Sequence, residues 1–353
     1  MKIGLLTSGG DCAGLNAVMR GFGKTIYTLD KGAELYGITD GYAGLVNGEW
    51  RKMDRDEFSG ILTLGGTILG TSRLPYKKLI TEGADKIDAM KANYKKMGLD
   101  ALVVLGGNGT HKTAALLSKE GLNVVGLPKT IDNDIWGTDM TFGFYSAVDV
   151  ATECIDRLAT TAASHRRTMV IEIMGNKTGW LTLYAGVAAG ADVILIPEIP
   201  FDLDKVVEAV AKRTERKKAF CIVAAAEGAI DKREAALDKK ERERRKAAAG
   251  GLNASARIAA AVSERLQNET RVVVPGHIQR GGGPSPLDRA LCTEMGVYAA
   301  RLVYEKRFGV TVATTGGALT ANRLADIAGK TKFVPAEHEL VRAARSVGVS
   351  FGD

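Results

Sequence analysis

Short apolar runs alternating with stretches of helical periodicity, most of them followed by glycine or polar residues, constrain this sequence more than any other feature. Runs at 2–6, 101–105, 123–127, 168–173, 192–196, 219–224 and 271–274 are rich in branched apolar residues and read as strands. Between them lie helical patterns. In the one at 204–213, Leu203, Val206, Val207, Val210 and Ala211 share one face. Such alternation predicts an α/β fold with mainly parallel sheets covered by helices, and ligands at the carboxyl ends of the strands.

The segments directly after the strands carry the chemistry. In chain order the strand ends read TSGGD, GGNGT, PKTIDND, MGN, AAEG and PGHIQRGG. Tight strand-to-helix turns explain some of the glycines. They do not explain carboxylates, amides and arginines recurring at the same topological position. The 42 glycines of the chain, many clustered after apolar runs, fit backbone that must approach a ligand.

With 353 residues the chain buries a substantial core and divides into two lobes. Four scattered cysteines form no CxxC pair, which argues against a zinc site or a disulfide framework and fits a reducing, cytoplasmic setting. The sequence starts at once on a strand-like KIGLL, so no signal peptide is expected, and no apolar run is long enough to span a bilayer. The net charge of +7 raises the question of nucleic acid. Part of the excess lies in 231–246, DKREAALDKKERERRK, which mixes both signs and reads as a solvated helix face. No nucleic acid or membrane partner is expected. Single Arg and Lys residues at strand ends suit small phosphorylated ligands instead.

GGNGT, at 106–110, precedes a helical pattern and would expose backbone N–H groups to a phosphate. It is neither a Walker loop nor a GxGxxG fingerprint, and a plain glycine turn accounts for it equally well. PKTIDND, at 128–134, is more specific. Phosphoryl transfer to a sugar needs a carboxylate to accept the hydroxyl proton, for which Asp132 is the candidate, and a cation on the moving group, for which Lys129 is. An Asx turn with solvated aspartates is the bland alternative. His165 and His277 lie beside arginines in SHRR and GHIQR, where clustered guanidinium groups can grip a phosphate. SHRR also fits an exposed helix end.

TSGGD, GGTILGTSR, GGNGT, PKTIDNDIWGTD, SHRR, MGN and GHIQRGGGPSPLDR stand here in the order found in the phosphofructokinase family, which the sequence resembles from residue 1 to about 305. The resemblance implies two Rossmann-like lobes with the active site in the cleft between them. A nucleotide-binding lobe would comprise 1–140 and about 256–305, and a sugar-phosphate lobe 141–255 and about 306–353. It implies a glycolytic kinase acting on the 1-hydroxyl of fructose 6-phosphate. Gly9, Gly10, Arg73, Leu74, Gly107, Asn108, Gly109 and Thr110 would bind the nucleotide. Thr130, Ile131 and Asp132 would form the sugar-phosphate loop, with Asp132, Lys129 and Thr130 as the catalytic set. Met174, Gly175, Asn176 and Glu227 would touch the sugar, Arg167, Arg271, His277 and Arg280 would hold its 6-phosphate, and Ile278 and Gln279 would also bind substrate. Arg167 and Arg271 would cross to a neighbouring subunit, implying a homotetramer or a dimer.

Several positions depart from the bacterial ATP-dependent pattern. The family Asp that holds the nucleotide's Mg²⁺ is Asn108 here, an uncharged candidate metal ligand, and a family Arg is Asn176. Lys129 stands where the family has Gly and would supply the missing charge. In pyrophosphate users of the family this Lys accompanies an Asp at the position of Gly109. Gly109 here leaves room for a nucleotide, which favours ATP and keeps pyrophosphate as the alternative. Family effector positions are partly basic (Arg20, Lys24, Arg55, Lys217), but one family Arg falls on Ala159, and ordinary surface charge explains the set. A segment at about 228–255 is inserted relative to shorter bacterial members. An NAD or lipid kinase, a sedoheptulose 7-phosphate kinase and a non-catalytic sugar-phosphate sensor are the competing readings.

Overall fold

In chain order the strands of the computed structural model are β1 (Lys2–Ser8), β2 (Glu34–Ile38), β3 (Trp50–Met53), β4 (Ala101–Gly106), β5 (Val124–Pro128) and β6 (Thr168–Ile173). They continue with β7 (Val193–Leu195), β8 (Cys221–Ala226), β9 (Thr270–Val273), β10 (Val310–Thr315) and β11 (Ala318–Arg323). The structure describes residues 1–82, 84–215, 220–238, 240–242, 244 and 253–353. Lys217, Ala219 and part of the charged run at 231–246 lie outside the described residues.

Two compact units result, one of Met1–Ser146 with Arg280–Lys332 and the other of Ala147–Gln279 with Phe333–Asp353. The chain passes between the units at 147, 280 and 333. The reason is visible in the strands. β9 pairs with β6 and keeps the chain in the second unit, whereas β10 pairs with β5 in the first.

The first unit holds a seven-stranded sheet, ordered β11-β10-β5-β4-β1-β2-β3. Its inner strands β10, β5, β4, β1 and β2 are parallel, and β3 and β11 add antiparallel edges. β4 and β5 are buried at every residue, as expected of a parallel sheet covered on both faces. The sequence reading did not anticipate β2, β3, β10 and β11. β10 and β11 form a hairpin over Gly316 and Gly317, whose φ values of 58° and 81° suit a two-residue turn. On the sheet, the long helices Leu15–Leu29 and Pro286–Tyr304 pack so closely that a Cβ on Gly296 would lie 2.4 Å from the Val18 carbonyl oxygen.

The second unit holds an all-parallel sheet, ordered β7-β8-β6-β9. Val170, Val193, Val223 and Ile258 are fully buried in its core. The helix expected at 204–213 spans Leu203–Thr214, started by Asp202, whose carboxylate accepts from the Asp204 N–H at 2.9 Å. Among the described residues no helix is long and apolar enough to cross a membrane.

Candidate active site

In the first unit β1, β4 and β5 lie side by side, with Ser8 opposite Gly106 and Gly106 opposite Pro128. The three chemistry-bearing loops therefore leave the sheet together at its carboxyl edge. The strand order also reverses here, since β2 flanks β1 on one side and β4 on the other. Parallel sheets open a ligand crevice at such a reversal.

Hydrogen bonds knit these loops. Gly9 takes a φ of 90°, its N–H donates to the Ser72 carbonyl at 3.0 Å, and its own carbonyl accepts from the Thr71 hydroxyl at 2.7 Å. These bonds hold GGTILGTSR beside TSGGD. Arg280 donates to the Asp11 carbonyl at 3.1 Å. Arg280 and the exposed Arg73 both approach Gly10, where an added Cβ would lie 2.9 and 3.4 Å from their guanidinium nitrogens. Leu74 is half-buried against the core.

Lys129 is only 3% exposed, and its Nζ donates to the Gly10 carbonyl. Burial lowers its pKa and nearby Arg280 lowers it further, while Cys12, Asp132 and Asp11 oppose the shift. Thr130 and Ile131 are buried; Asp132 is half-buried, and its N–H donates to the Thr130 hydroxyl at 3.1 Å. Asn133, at a φ of 49°, fixes the turn by accepting from the Thr141 N–H at 3.0 Å and donating to the Asp139 carbonyl at 3.2 Å. Asn108 donates to the Asp134 carboxylate at 2.8 Å. Burial raises the pKa of Asp134, and the Asn108 hydrogen bond works against that rise. A Cβ on Gly109 would meet nothing within 4 Å. Gly107 caps the helix Asn108–Lys119, so GGNGT supplies the first turn of the helix as well as the loop before it.

The second unit carries the remaining candidates. The ends of β8 and β9 flank that of β6, with Ile173 opposite Ala226 and Ile171 opposite Val273. One carboxylate oxygen of Glu227 accepts from the N–H groups of Gly175 at 3.2 Å and Asn176 at 2.7 Å. It thereby clamps MGN, where Asn176 has a φ of 54°. The Met174 N–H donates to the Gln279 side chain at 3.2 Å. Gln279 is buried, whereas His277 and Ile278 are exposed. Arg167 and Arg271 each bond Glu269 at 2.6 Å. In SHRR the helix Phe144–His165 ends and Arg166 turns left-handed at a φ of 55°, so His165 and Arg166 form an exposed helix end while Arg167 joins Glu269.

The phosphofructokinase family model matches residues 2–303. The chain belongs to the phosphofructokinase family. A relative from Spirochaeta thermophila, named ATP-dependent 6-phosphofructokinase, is 53% identical over 99% of this chain and 97% of its own length. One of the same name from Propionibacterium freudenreichii is 45% identical over the full length of both chains. Pichia pastoris phosphofructokinase in the T-state superposes with a TM-score of 0.81 at 32% identity, covering 98% of this chain and 36% of that one. This chain thus spans about a third of the Pichia chain. A pyrophosphate-dependent phosphofructokinase from Nitrosospira multiformis has a TM-score of 0.82 at 19% identity, covering 100% of this chain and 92% of its own, and shares the fold.

Two residues of this phosphofructokinase escaped the sequence reading. Glu269 lies two positions before Arg271, the spacing that puts side chains on one face of a strand, and that alternation was its available signal. His111 directly follows GGNGT and is 1% exposed, bonded to Gly107 and Thr311. No sequence pattern marks it, because Thr311 lies 200 residues away.

Proposed function

We propose that this phosphofructokinase transfers the terminal phosphoryl group of ATP to the 1-hydroxyl of fructose 6-phosphate, giving fructose 1,6-bisphosphate and ADP. Asp132 accepts the hydroxyl proton as the sugar oxygen attacks phosphorus and the bond to the ADP oxygen breaks. The N–H groups at 107–110, at the start of a helix, receive donor phosphates, with Gly9, Gly10, Arg73 and Leu74 completing the nucleotide set. Lys129 supplies positive charge to the moving group and Thr130 positions the Asp132 loop.

The observation that carries the choice of donor is the open space at Gly109, where an added Cβ would meet nothing within 4 Å. A nucleotide meets no side chain at that point. Pyrophosphate is the second reading, favoured by Lys129 alone. The donor set also fits Mg²⁺. Asn108 spends its amide N–H on Asp134, leaving its side-chain oxygen and the Asp134 carboxylate as hard ligands that would hold the ion. When bound, Mg²⁺ offsets charge on the donor phosphates.

The first unit serves as the nucleotide lobe and the second as the sugar-phosphate lobe. In the second, Met174, Gly175, Asn176 and Glu227 hold the sugar, Arg167, Arg271 and His277 hold its 6-phosphate, and Ile278 and Gln279 are further substrate-binding residues. Arg167 and Arg271, steadied on Glu269, reach a neighbouring subunit of a homotetramer in the cytoplasm. A coupled assay with fructose 6-phosphate, ATP or pyrophosphate, and varied Mg²⁺ tests this reading. Turnover with ATP supports it. Turnover with pyrophosphate alone reverses the donor, preference for sedoheptulose 7-phosphate reverses the acceptor, and no turnover with any pair favours a sensor.

A further inference from the structure

His111 sits on the buried face of the helix Asn108–Lys119 and is 1% exposed. Its Nδ1 lies 3.0 Å from the Gly107 carbonyl oxygen and its Nε2 2.9 Å from the Thr311 hydroxyl of β10. A carbonyl only accepts, so Nδ1 carries the proton, and Nε2 accepts from Thr311. Burial lowers the pKa of His111 to about 4, which keeps the ring neutral and this hydrogen pattern intact near neutral pH. Room for the pair comes from Gly126 on β5, directly opposite Thr311, where a Cβ would lie 2.8 Å from the Thr311 hydroxyl and 3.1 Å from Nε2.

The Gly107 carbonyl receives a second donor, the His111 backbone N–H, at 3.0 Å. Its peptide plane is therefore fixed by two bonds from one residue. The N–H of Asn108 belongs to that same rigid plane and points opposite to the carbonyl. Holding the carbonyl down into the helix aims the Asn108 N–H out of the helix start, where the free N–H groups of the first turn also point.

We infer that His111 is a positioning residue for the phosphoryl donor, a brace from β10 that orients the 107–110 backbone toward the donor phosphates. The inference rests on the reading of 107–110 as the donor loop. It explains a histidine buried with a polar bond at each ring nitrogen where an apolar helix residue would otherwise pack.

Two amide side chains separate the ring's two bonds. In His111→Asn the amide nitrogen takes the place of Nδ1; in His111→Gln the amide reaches the place of Nε2; His111→Leu removes both. Loss of the Gly107 bond, common to His111→Leu and His111→Gln, predicts a KM for ATP raised about tenfold in both, with that for fructose 6-phosphate changed less than about twofold. His111→Asn should recover the ATP value to within about threefold of wild type. Equal shifts in both KM values, or ATP values unmoved in folded variants, would overturn the inference. Nitrogen-15 shifts of the imidazole in the unaltered enzyme give a reading independent of variant folding. Nδ1–H is expected, and a proton on Nε2 contradicts the brace. Gly109→Val, whose side chain enters open space, tests the donor loop itself. If it raises the ATP KM while the histidine variants do not, only the brace fails. If it leaves donor kinetics unmoved, the donor-loop reading fails and takes the brace with it.

Discussion

Asn108 and Asp134 are joined directly, with the Asn108 amide 2.8 Å from the Asp134 carboxylate and 3.2 Å from its backbone carbonyl. The amide nitrogen is thus spent on Asp134 while the side chain itself carries no charge. Asn108→Asp replaces the donor with a second carboxylate against one that burial already disfavours as an anion. Without metal at neutral pH the variant should lose on the order of 1–3 kcal/mol of stability. Magnesium with nucleotide should return most of it, and less Mg²⁺ should half-saturate the rate. Thermal melts with and without MgATP check this; an unchanged melt without metal would show that Asn108 does not face Asp134 as described.

Lys129 brings a cation to Gly10 from inside the fold. In the proposed reaction its charge serves the transferring group more than the bound sugar. Lys129→Gly, with Lys129→Met as the volume-keeping control, should lower kcat by about a hundredfold or more. Fructose 6-phosphate affinity should change far less. A steady-state comparison of kcat with the sugar KM decides, and an unchanged turnover number would remove Lys129 from the mechanism.

His111 carries a pH signature in stability. Its pKa falls from 6.5 unfolded to about 4 folded, first through burial and then through the charge of Lys129, with the Gly107 bond opposing. The folded state thus prefers the neutral ring. This contribution is complete above pH 6.5 and lost as pH falls toward 4, amounting to roughly 3 kcal/mol at most. Urea titrations across that window should show wild type losing stability faster on acidification than His111→Asn. Parallel curves would mean the buried ring is not what titrates.

Much of the fold was legible because its signals are local. An apolar run followed by TSGGD, GGNGT or PKTIDND marks a strand and its carboxyl end within a dozen residues, which is also where the candidate site residues stand. The unread parts are non-local. β10 is identified by its pairing with β5, and nothing near VTVATT tells which sheet it joins. The changeovers at 280 and 333 follow from the same pairings. Glu269 acquires meaning from Arg167, 102 positions earlier in the chain, and His111 from Thr311. Glu227 was read as a sugar contact, yet one of its oxygens holds the MGN backbone, which a motif cannot reveal.

The central claim is that Asp132, set on a loop tied by its own N–H to Thr130, removes the proton from the sugar hydroxyl. Asp132→Asn keeps the shape and abolishes the base. Measured side by side, kcat with ATP should fall by about a thousandfold, while the Kd for fructose 6-phosphate stays within about threefold of wild type. A variant that turns over within tenfold of wild type would contradict the account.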